Sequence, residues 1–453
     1  MKIIIVGCGK VGSSLASNLS NENHDIVVID KNEKFVNNVI SIVDCMGVVG
    51  NGAIQSVLLE AGVDKCDFLI ACTDSDEINI LTCLIARKSS KCRTAARIRN
   101  PEYAKQIEYI MNELDISLTI NPDLATAREI VRIVRYSNSL SSDSFFKGKL
   151  NLLKLNIPDD STIVNKKLFE LKNIFNLKVI ICAIERNDDI IIPSGSTEIL
   201  KGDKIFFVVD TKNAYLLFER LGIDYKIIKS FIIIGASRVT EYLIKILQKS
   251  FDDCNIKLIE NDREKCEQFS ELFPKISVVC DDATDKSVLI KEGLEDVDCF
   301  ITLTGTDEEN ILLSLYAETY ERVKSITKIN HINFIDSLKD IKLGSIVNPE
   351  RVANNIIISY VRALTGDGKS NIETLYRLCN DRIEGLGFKI KKESEVTNIK
   401  LRNLHIKPNV IIAGINRKDV IIIPNGEDTL EVGDSVVVIS KDNKLNDITD
   451  ILV

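Results

Sequence analysis

Six residues near the N-terminus, Gly7-Cys8-Gly9-Lys10-Val11-Gly12, are spaced to hold an anion. Glycine at the first, third and sixth places allows a tight turn and close backbone approach, so that the amides opening a helix can cradle a pyrophosphate. Asp30 closes an apolar run 18 residues after Gly12. A carboxylate there accepts hydrogen bonds from a ribose diol and repels a 2′-phosphate, which favours NAD or an adenine nucleotide over NADP. The plainer alternative is a capping Asp beside a structural turn. Cys8, inside the loop, is a further binding candidate, and its plainer alternative is a small filler.

Three further groups stand where open parallel sheets bind ligands, at the carboxyl ends of strand-like runs. Asn51 and Gly52 follow the third run, and Thr73 and Asp74 follow the fourth, with Glu77 just beyond. They are candidates for the adenine and ribose pockets, although Asp74, Asp76 and Glu77 also suit a helix start. Arg97 and Arg99, two apart on a strand pattern, project to one side and suit phosphate contact, or one of them pairs with a nearby carboxylate.

A second constellation repeats the first imperfectly. Gly235-Ala236-Ser237-Arg238-Val239-Thr240 keeps only the first glycine, and Ser237 and Thr240 crowd the places where backbone must approach phosphate. Glu260 ends the following strand, Asp281, Asp282 and Ala283 follow the next, and Thr304, Glu308 and Lys328 stand where Thr73, Glu77 and Arg97 stood. More acid and less arginine weaken a pyrophosphate site. Nucleotide, a different ligand and an empty pseudo-site all remain open for this second set.

These residues need a scaffold, and the chain repeats it. Thr73-Asp74-Ser75-Asp76-Glu77-Ile78-Asn79-Ile80-Leu81 returns as Thr304-Gly305-Thr306-Asp307-Glu308-Glu309-Asn310-Ile311-Leu312, 231 positions later. Ile190-Ile191-Ile192-Pro193-Ser194-Gly195 returns as Ile421-Ile422-Ile423-Pro424-Asn425-Gly426 at the same offset. In each copy, strand-like runs such as 3–6, 26–29, 68–72 and 94–98 alternate with helical spacing. That order predicts a parallel sheet covered on both faces.

Asn121-Pro122-Asp123 and Asn348-Pro349-Glu350 then open helices expected over 122–137 and 349–364. Their apolar stripes, Ile130, Val131 and Val134 against Ile357, Ile358 and Val361, suit another subunit or their own domain equally. A smaller β-rich part follows each helix. The expected division is a Rossmann-like lobe at 1–120, a connecting helix at 121–140 and a small lobe at 141–225, then the same again at 226–347, 348–367 and 368–453. The fold class is α/β: two tandem Rossmann-like parallel-sheet lobes, each with a smaller α+β lobe.

Composition narrows the function. A net charge of −8 speaks against a broad basic face for nucleic acid. The longest apolar runs fall short of the roughly 18–20 residues a spanning helix requires, so direct membrane insertion is not expected. Twelve scattered cysteines without a C-x-x-C pair, and three histidines, fit reduced cytosolic thiols better than zinc or a disulfide framework, and no metal is expected.

Together and in order, KIIIVGCGKVG, GNGAIQSVLLEAGVDKCDFLIACTDSDEINIL, ARIRNPEY and both IIIP-x-G hairpins make the chain resemble the Trk-type potassium-uptake regulatory family. Members carry two tandem RCK units, each a Rossmann-like lobe with a small β-rich lobe. The resemblance implies a cytoplasmic homo-oligomer, a ring expected as a tetramer, docked on the inner face of the cell membrane against a potassium-translocating subunit. It also implies NAD(H) or ATP/ADP as regulatory ligands at Gly7, Gly9, Lys10, Val11, Gly12, Asp30, Asn51, Gly52, Thr73, Asp74, Glu77 and Arg97. The expectation is a gating subunit rather than an enzyme. The alternatives are an NAD-dependent oxidoreductase, for which none of His24, His331 and His405 lies in a suitable motif, and a regulator of a different cation transporter.

Overall fold

The computed structural model describes residues 1–104, 106–136, 141–187, 189–223, 227–251, 253–331, 343–365, 372–378, 382–441 and 445–453. β1 (Lys2–Val6), β2 (Asp25–Asp30), β3 (Met46–Val49), β4 (Phe68–Ala71), β5 (Arg93–Arg97) and β6 (Leu118–Ile120) form a parallel sheet in the order β3-β2-β1-β4-β5-β6. Ile3, Ile4 and Ile5 are all fully buried, as expected when helices cover both faces. Those helices are α1 (Lys10–Ser20), α2 (Glu33–Ile40), α3 (Gln55–Glu60), α4 (Asp76–Ser89), α5 (Pro101–Ala104), α6 (Ile107–Glu113) and α7 (Pro122–Arg135). The strand order reverses between β1 and β4, which opens a crevice beyond Val6 and Ala71.

An antiparallel sheet follows, built from β7 (Ser141–Phe145), β8 (Leu150–Asn156), β9 (Val179–Arg186), β10 (Asp189–Ile191) and β11 (Lys204–Asp210) in the order β10-β9-β11-β8-β7, with α8 (Leu168–Phe175) and α9 (Ala214–Leu221). The second copy repeats the parallel sheet with β12 (Ser230–Ile234), β13 (Asn255–Glu260), β14 (Ser277–Cys280), β15 (Cys299–Thr302), β16 (Lys324–Lys328) and β17 (Ser345–Val347), in the matching order β14-β13-β12-β15-β16-β17. Its helices among the described residues are α10 (Arg238–Ser250), α11 (Arg263–Leu272), α12 (Lys286–Lys291), α13 (Asp307–Ala317) and α14 (Pro349–Thr365). β18 (Ile372–Leu378), β19 (Ile383–Lys389), β20 (Val410–Arg417), β21 (Val420–Ile422) and β22 (Ser435–Lys441) form the last, antiparallel sheet.

The chain forms two compact units, 1–131 with 229–358 and 132–228 with 359–453. The boundaries expected at 140, 225 and 367 lie outside the described residues. In the first unit the two parallel-sheet lobes are bonded directly: Asn121 Nδ2 donates to the Tyr242 hydroxyl at 2.9 Å, which donates to Arg99 O at 3.1 Å, and Asn354 Nδ2 donates to Ser14 Oγ at 2.7 Å. In the second unit the two antiparallel sheets share a core in which Phe145, Leu150 and Ala183 join Ile383, Ala413 and Val437. Like packs on like, so the repeat is a dimer within one chain.

Both expected helix starts carry their caps. Asn121 Oδ1 accepts the Leu124 amide at 2.9 Å and Asn348 Oδ1 the Arg351 amide at 2.7 Å. Of the two readings for the apolar stripes, the structure takes the internal one, since Ile130, Val131, Val134, Ile357, Ile358 and Val361 are buried within the chain. The first helix ends at Arg135, and the expected end at 137 lies outside the described residues. Among the described residues no helix is long and apolar enough to cross a membrane, and the cysteines are free thiols.

Candidate functional site

The first crevice is built around backbone rather than side chain. Gly7 has φ +103°, in the left-handed region, and a Cβ there would lie 2.9 Å from Cys72 C and Thr73 N. Only glycine fits, and Gly235 in the second copy has the same character with φ +95°. This is why the first glycine survives in both turns. A Cβ on Gly12 would stand 1.8 Å from Gly7 O, so Gly12 lets α1 pack against the turn. At Gly9, by contrast, a Cβ meets nothing within 4 Å. The space over the start of α1 is open.

Gly9 is also the N-cap of α1 and has no side chain to bond the first-turn amides, nor is there an acid in that turn. Those orphan donors suit an anion. Asp30 faces them from β2: its Oδ2 accepts the Cys8 amide at 2.7 Å and its Oδ1 the Asn32 amide at 2.8 Å. Each oxygen keeps a further lone pair for a ligand hydroxyl. Burial, with Asp30 beside it, pushes the Cys8 thiol up to about 12, so it remains a neutral filler. Lys10 is exposed and Val11 is buried.

The other candidates divide between ligand edge and scaffold. Gly52 packs on β1, since a Cβ would lie 2.2 Å from Val6 Cγ1, while Asn51 Oδ1 accepts the Ala53 amide at 3.0 Å. Arg97 Nη2 donates to Thr73 O at 2.7 Å and to Asp74 Oδ1 at 3.1 Å, and Arg99 Nη2 donates to Asp74 O at 3.0 Å. The two arginines therefore do reach one side. β5 ends at Arg97, however, so Arg99 acts from a loop rather than from the strand pattern expected. Arg97 is 8% exposed, and its Nε, like that of Arg99, has no hydrogen-bond partner. Those two donors, the bare start of α1 and the open space at Gly9 fit an anionic nucleotide. Glu77 is exposed and accepts from Ser75 Oγ and Tyr103 OH, which hold its carboxyl below the usual range.

The residues most faithfully repeated turn out to be clamps. Asn79, fully buried, accepts the Thr73 amide at 2.8 Å and donates to Arg97 O at 2.9 Å, and Asp76 accepts the amides of Arg99 and Asn100 at 2.8 Å each. Asn310 ties Thr304 to Lys328 O, and Asp307 takes the amides of Asn330 and His331, in the same way. These clamps hold the tips of β4 and β5, or of β15 and β16, in register. The signal that could have found them is the strict 231-residue offset of polar residues that a mere helix start does not require.

The second crevice is a cavity of about 330 Å³ lined by Gly235, Ser237, Glu260, Asp282, Ala283, Thr304 and Lys328 among the expected residues. Arg238 and Glu308 are exposed and Val239 is buried, and none of the three lines it; Glu309, one position on, does. Sequence reasoning also missed Ala236, Asn261, Lys265 and Gly305. Glu260 repeats the part of Asp30, accepting the Ala236 amide at 2.6 Å and the Asp262 amide at 2.9 Å. The turn differs. Ser237 Oγ accepts the Thr240 amide at 3.3 Å and lies 2.9 Å from Thr240 Oγ1, which donates to Gly235 O at 2.6 Å. An amide left for ligand in the first copy is here capped by the protein itself.

Glu350, in the first turn of α14, is a buried acid whose protonation should be measurable. Burial lifts its carboxyl from 4.5 to about 7, with Asp307 adding to the rise and Lys10 and His331 opposing it. The folded state thus binds this proton more tightly than the unfolded chain does. Its stabilising contribution is complete below about 4.5 and is lost as pH rises through about 7. Glu350→Gln is expected to flatten the fall in melting temperature between about pH 5 and pH 8; an unchanged slope in the variant would reject the assignment.

Comparison with known proteins agrees with this architecture. Residues 3–122 and 231–349 match the TrkA-N domain, and residues 152–222 and 386–453 match the TrkA-C domain. The chain is 29% identical over 451 residues to a Trk system potassium uptake protein TrkA homolog of Archaeoglobus fulgidus, covering 100% of each. It is 30% identical over 448 residues to the Trk system potassium uptake protein TrkA of Haemophilus influenzae, covering 98% of this chain and 96% of that one. Among solved structures, the GsuK channel aligns with a TM-score of 0.65 at 17% identity, covering 97% of this chain and 77% of that one. The same channel bound to NAD gives 0.63 at 17% identity and the same coverage, a likeness of fold. With family domains matched in both copies and relatives aligned from end to end, the chain belongs to the TrkA family.

Proposed function

We propose that this chain is the nucleotide-sensing gating subunit of a potassium uptake system. NAD(H) or ATP/ADP binds the first crevice, and the assembled protein passes the result to a potassium-translocating membrane subunit. The observation that carries the reading is the bare amide start of α1 facing Asp30, with open space over Gly9. The names of its full-length relatives supply the transport system. The main site comprises Gly7, Cys8, Gly9, Lys10, Val11, Gly12 and Asp30 on one side, and Asn51, Gly52, Thr73, Asp74, Arg97 and Arg99 on the other. Glu77 stands at its outer edge.

A ligand shifts a conformational equilibrium only by its differential affinity for the two states, and a full reversal needs about 10⁴-fold. The route by which the first crevice can bias the second copy is short. Arg99, bonded to Asp74 at the crevice, offers its carbonyl to Tyr242 on α10. The reading is regulatory rather than catalytic: Cys8 is held neutral by burial, and the His331 ring is bonded to Asp307 at 2.7 Å. Four chains in a ring on the cytoplasmic face of the membrane complete the proposal.

Potassium uptake in cells lacking the gene tests it. The intact chain should restore uptake, while Gly9→Asp and Asp30→Ala should restore it poorly or without nucleotide response. Full rescue by both variants would exclude control through the first crevice, and failure of the intact chain would exclude the transport assignment.

A further inference from the structure

The two crevices share a fold but not a chemistry. Around the first, the charged side chains at the matched positions are Asp30 and Asp74 against Lys31 and Arg97, which balance. Around the second, among the described lining residues, Glu260, Asp281, Asp282 and Glu309 face only Lys265 and Lys328. The positions of Asp281, Asp282 and Glu309 are held in the first copy by Gly50, Asn51 and Ile78. Burial pushes the Glu309 carboxyl up, and Asp282 and Glu260 push it further. The lining already crowds negative charge, and a polyphosphate would add more.

The anion cradle is also spent from within. Ser237 occupies the place of Gly9, and its hydroxyl takes the Thr240 amide, while the Thr240 hydroxyl closes on Gly235 O. What the cavity still offers is suited to a sugar and a base. Glu260, 8% exposed, keeps lone pairs free after accepting two amides, and Thr304 and Asp282 add acceptors beside it. Lys328, also 8% exposed, donates to Leu303 O at 3.2 Å and has two more ammonium hydrogens to give. One buried cation can meet a ring nitrogen or a single phosphate. A volume of about 330 Å³ stands at the small end of ligand cavities, which run from about 300 to 1,000 Å³.

We propose that the second crevice binds an adenosine-type nucleoside carrying at most one phosphate, and discriminates against the pyrophosphate-bearing nucleotides proposed for the first. The inference rests on the reading of both crevices as nucleotide sites. It makes this chain a two-input sensor, with a polyphosphate or dinucleotide read by one copy and a nucleoside or its monophosphate read by the other.

Calorimetric titration of the full chain with adenosine, AMP, ADP, ATP and NAD tests it. Loss of ADP and NAD binding in Gly9→Asp reports on the first crevice alone, so its failure is visible separately. In that same variant adenosine or AMP is expected to bind at least about tenfold more tightly than ADP or ATP, since each uncompensated charge near a partly buried site is worth about tenfold, and than NAD, whose pyrophosphate meets a turn amide already capped by Ser237 in a cavity of about 330 Å³. Made in the Gly9→Asp background, the triple change Asp281→Gly, Asp282→Asn, Glu309→Ile installs the first copy's residues and should raise ADP affinity by at least about tenfold. ADP or NAD binding Gly9→Asp as tightly as adenosine does, an absence of adenosine and AMP binding, or an ADP affinity indifferent to the triple change would each overturn the proposal.

Discussion

Gly12→Ala is expected to destabilise the first parallel-sheet lobe by about 3 kcal/mol, seen as a fall of about 6–12 °C in its melting transition. The added Cβ would lie 1.8 Å from Gly7 O and 3.0 Å from Gly7 C, backbone atoms of a turn whose own φ of +103° allows little movement. Cys72 Sγ, at 3.2 Å, closes another direction. α1 must shift, and with it Leu15, Ala16 and Leu19, which are fully buried. The second copy carries Thr240 at this place and turns the side chain to use by bonding Gly235 O at 2.6 Å, so a wider turn exists in this fold. It requires its own partners, which Ala lacks. Thermal unfolding followed by circular dichroism checks the result, and an unchanged melting curve would show that the turn relaxes freely.

Gly9→Asp should do the reverse, leaving the fold intact while removing nucleotide binding. A Cβ at Gly9 meets nothing within 4 Å, its backbone has ordinary dihedrals of φ −70° and ψ −171°, and it is already the N-cap of α1. Asp is among the best N-cap residues, so stability should hold or rise by a few tenths of a kcal/mol. The same carboxylate would bond the amides that a phosphate needs and repel the phosphate itself. Affinity for NAD or ADP at the first crevice is expected to fall by at least about 100-fold, or about 2.7 kcal/mol. Equilibrium titration beside a melting curve separates the two effects. Unchanged affinity would move the ligand away from α1.

The glycine turn, Asp30, and the βα alternation were legible because each rests on local rules: a left-handed backbone, a buried two-faced strand, a cap before a helix. Glu309 was not, because which of two adjacent residues in the first turn of α13 enters the cavity depends on helix phase, and one residue rotates the side chain by about 100°. β6 escaped for want of length, being three residues with only Ile120 buried. The contact from Asn121 through Tyr242 to Arg99 joins residues more than a hundred positions apart, which no local pattern reports. Ser237 was readable as a crowding residue, yet its act as a cap required the position of Thr240 on α10.

Asp30 and Glu260 leave a lesson about descent. Each carboxylate bonds the amide of its own turn and the amide two residues further on, whatever ligand lies beyond. Selection for folding alone therefore retains an acid there after a duplicated copy has changed its ligand or lost it. In comparing distant relatives, that acid marks ancestry; what has become of the site is written in the residue facing it across the turn, Gly9 in one copy and Ser237 in the other.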